Sequence, residues 1–216
     1  MAHPSSHTRD SEKLQRILLH SARIFAEQGF EGASIRDISR ATGISLSGLY
    51  YYFKSKQQLL YLIQNNAFTL ILERARARLR KVHEPQARLR VLVQNHVEYF
   101  LSHPNEMKVL SHEEEALGAP YGGEIAAIKR RYYALTREIF DGVAAAGLTA
   151  GLNPRVAVLS LFGMMNWVYK WHNPKVDPGE EQLTDTIVGI FLHGVLADPS
   201  EARELSPSDE GVLTSD

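Results

Sequence analysis

Cysteine is absent from the 216-residue chain. Disulfides, thiolate metal sites and cysteine nucleophiles are therefore excluded. Long apolar runs are missing too, and none reaches the roughly 18 consecutive apolar residues of a membrane-spanning helix. The opening residues, MAHPSSHTRD, lack the apolar segment of a secretory signal, so the expected location is cytoplasmic, with no membrane partner. Neither sign of charge is in excess: 24 Lys and Arg against 25 Asp and Glu leave a formal net charge of −1, which by itself argues against a polyanionic partner. Catalytic signatures are also lacking, for G-x-S-x-G, Walker A and GxGxxG do not occur. Gly122-Gly123 reads as a turn, and the Asp-rich repeats of an all-helical prenyl-chain synthase are not present. His112-Glu113-Glu114-Glu115 is the densest potential ligand cluster, but its histidine has no second histidine at i+4, so it reads as a solvated helix end. No catalytic residue, cofactor or metal is expected.

What is present suits an ordinary soluble protein of one or two domains, 44% hydrophobic and 23% charged. The charge is unevenly distributed. Residues 1–66 carry eight Lys and Arg against five acids, +3, which leaves −4 for the remainder. The sign of that asymmetry fits nucleic acid at the N-terminal end.

Helical periodicity runs throughout, with no convincing strand. Leu14, Ile17, Leu18, Ser21, Ala22 and Phe25 form an amphipathic stripe that Gly29 is placed to end. Ser34-Ile-Arg-Asp37 is a capping box opening a short helix, and Gly43 supplies a turn. Ser45 is placed to cap a second short helix through Phe53, and Ser55-Lys-Gln-Gln58 to start a long one reaching about Lys81. Prolines then punctuate helices near 86–102, 104–116, 121–146, 154–172 and 178–196. Val188–Leu196 could be a buried strand by composition, but its place in a 19-residue run after a strong cap favours helix. The tail 198–216, with six acids, one arginine and two prolines, reads as disordered.

Two short helices joined by ATGIS make a helix-turn-helix over residues 34–53, or else an αα-corner of a helical bundle. Leu46, Ser47 and Gly48 keep the start of the second helix small enough to approach base edges, while tyrosine hydroxyls and lysines can meet phosphates. Tyr50, Tyr51 and Tyr52 fan around the helix at about 100° per residue, so they cannot all be core.

Residues 10–60 resemble the DNA-binding domain of the TetR family of bacterial transcriptional regulators. The matching residues are Ala22, Phe25, Gly29, Ser34, Ile38, Ala41, Gly43, Ile44, Ser45, Leu49, Tyr50, Phe53, Ser55, Lys56 and Leu59. Ser34 stands where the family commonly has Thr, and Tyr52 where it commonly has His. The resemblance implies an all-α fold, with an N-terminal three-helix DNA-binding domain over 10–56 and a helical ligand-binding and dimerisation domain over 57–197. It implies that Ser34 and Arg36 reach the DNA backbone or adjoining groove, that Ser45, Leu46, Ser47 and Gly48 lie nearest the bases, and that Tyr50 and Lys56 bind phosphate. Tyr51 and Tyr52 would flank the groove, Tyr51 being equally open to a packing role, whereas Leu49 and Phe53 read as core.

The resemblance further implies a homodimer through the helices at 154–172 and 178–196, bound to a palindromic double-stranded operator and released by a small molecule. Independently, VAVLSLFGMMNWVYKW has apolar residues on more than one helical face and must bury two sides. Asn166, Trp167, Lys170 and Trp171 put polar groups among aromatics, as an effector pocket needs, or else pack as core or interface. The MMNWVYKWHNP segment is locally similar to regulators of fatty-acid and steroid breakdown, which suggests an acyl-CoA thioester. The basic run Arg74, Arg76, Arg78, Arg80 and Lys81 could meet CoA phosphates or be a solvated face. The rival reading is a helical enzyme or adaptor that does not bind DNA.

Overall fold

The computed structural model describes residues 6–113, 115–119, 121–147 and 152–193, with side chains omitted before Asp10 and at Glu115. The expected tail at 198–216 and the last residues of the expected final helix lie outside the described residues. Among those described, every regular element is helical: α1 (Ser6–Gly32), α2 (Ile35–Thr42), α3 (Leu46–Tyr50), α4 (Lys56–Leu79), α5 (Pro85–Ser102), α6 (Pro104–His112), a 3₁₀ turn at Glu115–Leu117, α7 (Tyr121–Ala145), α8 (Pro154–Asn166), α9 (Val168–Trp171) and α10 (Glu180–His193). The fold is all-α, as expected, and no helix among the described residues is long and apolar enough to cross a membrane.

Local chemistry explains the boundaries. Gly29, at φ 75° and ψ 160°, breaks α1 before its last residues. Ser34 closes a full capping box on Asp37: the Asp37 N–H donates to the serine Oγ at 3.2 Å, and the Ser34 N–H donates to the carboxylate at 3.0 Å. Gly43 takes the left-handed conformation (φ 70°) and donates its N–H to the Ser39 carbonyl, ending α2. Ser55 caps α4 as expected, but the reciprocal bond falls one residue early, from the Lys54 N–H to Gln58 Oε1 at 2.6 Å.

Three expected spans differ. The recognition helix ends at Tyr50 rather than Phe53, and Tyr51 and Tyr52 form its closing turn. The expected 104–116 helix stops at His112, and the 154–172 helix breaks at Trp167. The α6 break puts Glu113 to structural use: its Oε1 accepts the Phe30 N–H at 2.9 Å, and its carbonyl accepts the Gln64 side-chain amide at 3.3 Å. The solvated-end reading therefore does not hold for Glu113.

Two hydrophobic cores divide along α4. Leu59, Leu60 and Ile63 join Ile17, Phe25, Ile38, Leu49 and Phe53 in the first, which also takes in Val109 of α6 and Ile125 of α7. Ala67, Ile71, Leu72, Ala75 and Leu79 belong to the second, built on α5 (Leu89, Leu92, Val97) with Leu161 and Met165 of α8 and Leu183 and Ile187 of α10. The cores thus divide between residues 63 and 67, beyond the expected boundary at 56, because the first turns of α4 complete the N-terminal core. Leu49 and Phe53 are fully buried, as read from the sequence.

Two substitutions test this local reading by thermal melting. Ser34→Ala removes the Oγ arm of the capping box, keeps the backbone N–H arm to Asp37, and is expected to cost about 1 kcal/mol, lowering Tm by roughly 2–4 °C. Gly43→Ala meets no atom within 4 Å, so its expected loss of about 1 kcal/mol comes from backbone strain alone. An unchanged Tm in either variant would contradict the assigned cap.

Candidate DNA-binding surface and effector cavity

The surface expected at DNA is built by α2, the turn at Gly43 and α3. Ser45 Oγ accepts the Gly48 N–H at 3.2 Å and lies 3.1 Å from Ser47 Oγ. A Cβ at Gly48 would stand 2.9 Å from Ile44 Cγ2 and 3.2 Å from that capping Oγ, so the start of the helix is crowded around this glycine. Leu46, Ser47, Tyr50 and Tyr51 are exposed, Tyr51 at 76%. Tyr51 meets Tyr52 edge-on, their centroids 5.1 Å apart. Tyr52 is half-buried, and desolvation together with the Asp10 carboxylate beside it pushes its phenol above the ordinary value. Arg36 is exposed, while Ser34 is exposed with its hydroxyl engaged on Asp37. Arg40 pairs with the same carboxylate.

Lys56 behaves differently from the sequence expectation. Its ammonium donates to the carbonyls of Phe30 (2.7 Å), Glu31 (3.2 Å) and Ala33 (3.2 Å), and it stands 4.5 Å from the centroid of the Phe30 ring. An ammonium has three N–H donors, and all three are used. This shared, partly exposed set of bonds is worth about 2 kcal/mol in all, and moving the group to a phosphate would strip the end of α1. The structure therefore shows Lys56 tying α4 to α1.

Behind this unit lies a cavity of about 550 Å³ between α4, α5, α6, α7 and α8. Phe68, Phe100, Leu110 and Phe162 give it apolar walls, with His96, Ser111, Lys129, Tyr132 and Asn166 as polar points. The size falls within the range of small-molecule sites. Of the four expected effector residues, Asn166 and Trp167 line it and Lys170 and Trp171 do not. The break at Trp167 turns α9 away, leaving Trp171 49% exposed. The basic run is mostly committed elsewhere: Arg74 and Arg78 pair with Glu98 of α5, at 3.4 and 2.6 Å, and Arg76 with Glu73 at 3.0 Å. Among the described residues, no group of three or more His, Asp or Glu is placed to hold a metal ion.

Residues 17–61 match the family described as "Bacterial regulatory proteins, tetR family", and residues 82–195, more than half of the chain, match "Tetracyclin repressor-like, C-terminal domain". The chain belongs to the TetR family. It is a DNA-binding transcriptional regulator of that family. Among curated proteins it is similar to the HTH-type transcriptional repressor NicS of Pseudomonas putida, 28% identical over 150 residues, 68% of each chain. Among solved structures it is similar to AibR in complex with isovaleryl coenzyme A and operator DNA (29% identity, 83% of this chain and 98% of that one, TM-score 0.75). It is also similar to the TetR-family regulator PfmR of Thermus thermophilus (25% identity, 84% and 99%, TM-score 0.77).

On the polar side of this TetR-family cavity, Asn166 was read from the sequence, whereas His96 and Tyr132 were not. His96 is buried on α5, its Nδ1 3.2 Å from the Tyr132 hydroxyl, its ring stacked on Phe100. The sequence signal for it was Asn95-His96 set between Leu92, Val93, Val97 and Phe100, a polar pair inside a buried stripe. Burial pushes the His96 pKa down to about 3, against a partial rise from the Asn166 amide. The folded protein therefore holds His96 neutral where an unfolded chain would take up a proton. Stability from this group is complete above about pH 6.5 and falls as pH drops from there toward 3, by about 1.4 kcal/mol per pH unit. Urea melts at pH 7, 6, 5 and 4 should show that slope reduced by one proton's worth in His96→Gln. An identical slope in both proteins would contradict the buried neutral ring.

Proposed function

We propose that this protein is a homodimeric TetR-family repressor, bound to a palindromic operator through α2 and α3 and released when an acyl-CoA thioester occupies the α4–α8 cavity. The observation that carries the ligand-response reading is the continuity of α6. Its Leu110 and Ser111 line the cavity, and its capping residue Glu113 holds the Phe30 N–H at the end of α1. A molecule that shifts α6 thereby acts on the segment to which Lys56 is also anchored. Such a ligand changes operator affinity only by as much as it prefers one arrangement of α6 over the other. The acyl-CoA class is supported by AibR, a neighbour of 29% identity described with isovaleryl coenzyme A and operator DNA.

The DNA contacts proposed are Arg36, Leu46, Ser47, Tyr50 and Tyr51, with Ser34, Ser45, Gly48 and Tyr52 shaping the surface and Lys56 bracing it. Tyr51→Ala is expected to weaken binding to a duplex selected with the purified protein by about tenfold, the worth of one hydrogen bond, with Tm unchanged. Lys56→Met is expected instead to lower Tm by roughly 4–8 °C. Unaltered affinity and salt dependence in Tyr51→Ala would remove this surface from the DNA interface.

The dimer reading is supported by exposed apolar side chains on the last helices. Val156 (60% exposed) on α8 and Ile190 (43%) on α10 face outward, as do Leu159 (45%) and Trp167 (53%) at the edge of the cavity. Exposed apolar side chains of this kind are suited to a partner helix. Val156→Asp is expected to convert a dimer to a 24.3 kDa monomer in sedimentation velocity. A wild-type protein that sediments as a monomer at micromolar concentration would sink the dimer.

Isovaleryl-CoA at a hundred times its dissociation constant should stabilise the protein by about 2.7 kcal/mol. Absence of a thermal shift with any short branched or straight acyl-CoA would reject this effector class and leave the operator reading intact.

A further inference from the structure

We propose that His96 is the residue by which this cavity recognises its effector, the ring donating its Nε2–H to a neutral carbonyl oxygen on a predominantly apolar molecule. The inference rests on the reading of the α4–α8 cavity as the effector site, and deepens it by naming the group recognised and the residue that does so.

The ring is fixed in orientation. It stacks on Phe100, with centroids 4.0 Å apart and planes at 28°, and lies nearly parallel to Tyr132 at 5.9 Å and 9°. Only 3% of the residue is exposed. Its two nitrogens differ sharply. Nδ1 sits 3.2 Å from the Tyr132 hydroxyl, whereas Nε2 is buried and makes no hydrogen bond of full geometry among the described residues. The Asn166 amide bears on the ring from the cavity wall without closing a hydrogen bond on Nε2.

The neighbours determine which nitrogen carries the proton. The Tyr132 hydroxyl lies 3.2 Å from Nδ1. Turned to Nδ1, the phenol O–H finds an acceptor, whereas a proton on Nδ1 would turn it away and leave Nε2 an unfilled acceptor as well. A neutral imidazole has one ring proton, so an accepting Nδ1 leaves that proton on Nε2. The pair Tyr132 and His96 therefore ends in one buried donor in the cavity wall. A buried donor without a partner is unfavourable, and a ligand acceptor relieves it.

The same geometry selects the acceptor. Phe68, Phe100, Leu110 and Phe162 surround the site with apolar surface. A neutral N–H offers a dipole and no charge. It suits a thioester or ketone carbonyl, while the ammonium in the same wall, Lys129, stands 5.2 Å from the centroid of the Phe68 ring. An effector lacking the carbonyl leaves the donor buried and unpaired, the arrangement under which binding sites discriminate most strongly.

The test compares isovaleryl-CoA with its thioether analogue, S-(3-methylbutyl)-CoA, by calorimetry on the full-length protein. It is joined to a nitrogen-15 determination of the His96 tautomer, assigned with His96→Gln. The wild type is expected to favour the thioester by roughly 10–100-fold and to carry its ring proton on Nε2. His96→Phe should bind both compounds alike, and His96→Gln, which keeps an N–H donor and guards against a misfolded phenylalanine variant, should retain part of the preference. Equal wild-type affinities, or a proton on Nδ1, would overturn the proposal. If the wild type binds neither thioester nor thioether, the acyl-CoA reading fails separately. Titration with 2-nonanone then decides the role of His96: a shift of the Nε2 resonance supports it, and an unmoved resonance overturns it.

Discussion

Phe30 is the point at which the two halves of the molecule are held together. Its N–H is taken by a carboxylate of Glu113 and its carbonyl by the ammonium of Lys56. Its ring lies beneath that ammonium and edge-on to Phe25. One residue just past the break at Gly29 thus receives an anion from α6 on its N–H and a cation from α4 on its carbonyl. A chain that leaves helical geometry exposes backbone groups that need partners. Here those partners come from the helices that border the cavity, so the N-terminal unit cannot be positioned independently of them.

That arrangement suits a switch with two discrete states. Packed helices shift between alternative seatings more readily than they deform. Tyr61 of α4 reinforces the joint by donating its hydroxyl to Glu124 of α7 and stacking on Tyr121, 4.8 Å away. The carboxylate and burial raise the Tyr61 pKa to about 12, so the phenol remains a donor throughout the physiological range. The N-terminal unit is braced by α4, α6 and α7, which are also walls of the cavity, and this shared ownership gives the two sites a common mechanical frame.

Local signals carried the sequence reading a long way. Capping serines, the turn glycine at 43 and prolines at helix starts each act within four residues, so α2, α4, α5 and α8 begin where their residues say. What was hidden depends on distant partners. Lys56 looks like a phosphate ligand because its binding partners, three carbonyls, lie 23–26 residues earlier and carry no side-chain signature. The break at Trp167 has no glycine or proline to announce it, and it moved Lys170 and Trp171 away from the cavity. His96 was overlooked because a histidine in an apolar stripe acquires meaning only when Tyr132, 36 residues on, is seen against it.

The crowding at Gly48 has a consequence for how such a regulator can change its target. A side chain at that position would press on Ile44 and on the cap that begins its own helix. Substitution there requires both neighbours to shift. Neighbouring Leu49 is constrained as well, being fully buried. On the proposed operator surface, the positions that can change without disturbing the packing are the outward ones, Arg36, Leu46, Ser47, Tyr50 and Tyr51. Change in operator preference would then run through side chains that the fold itself does not need.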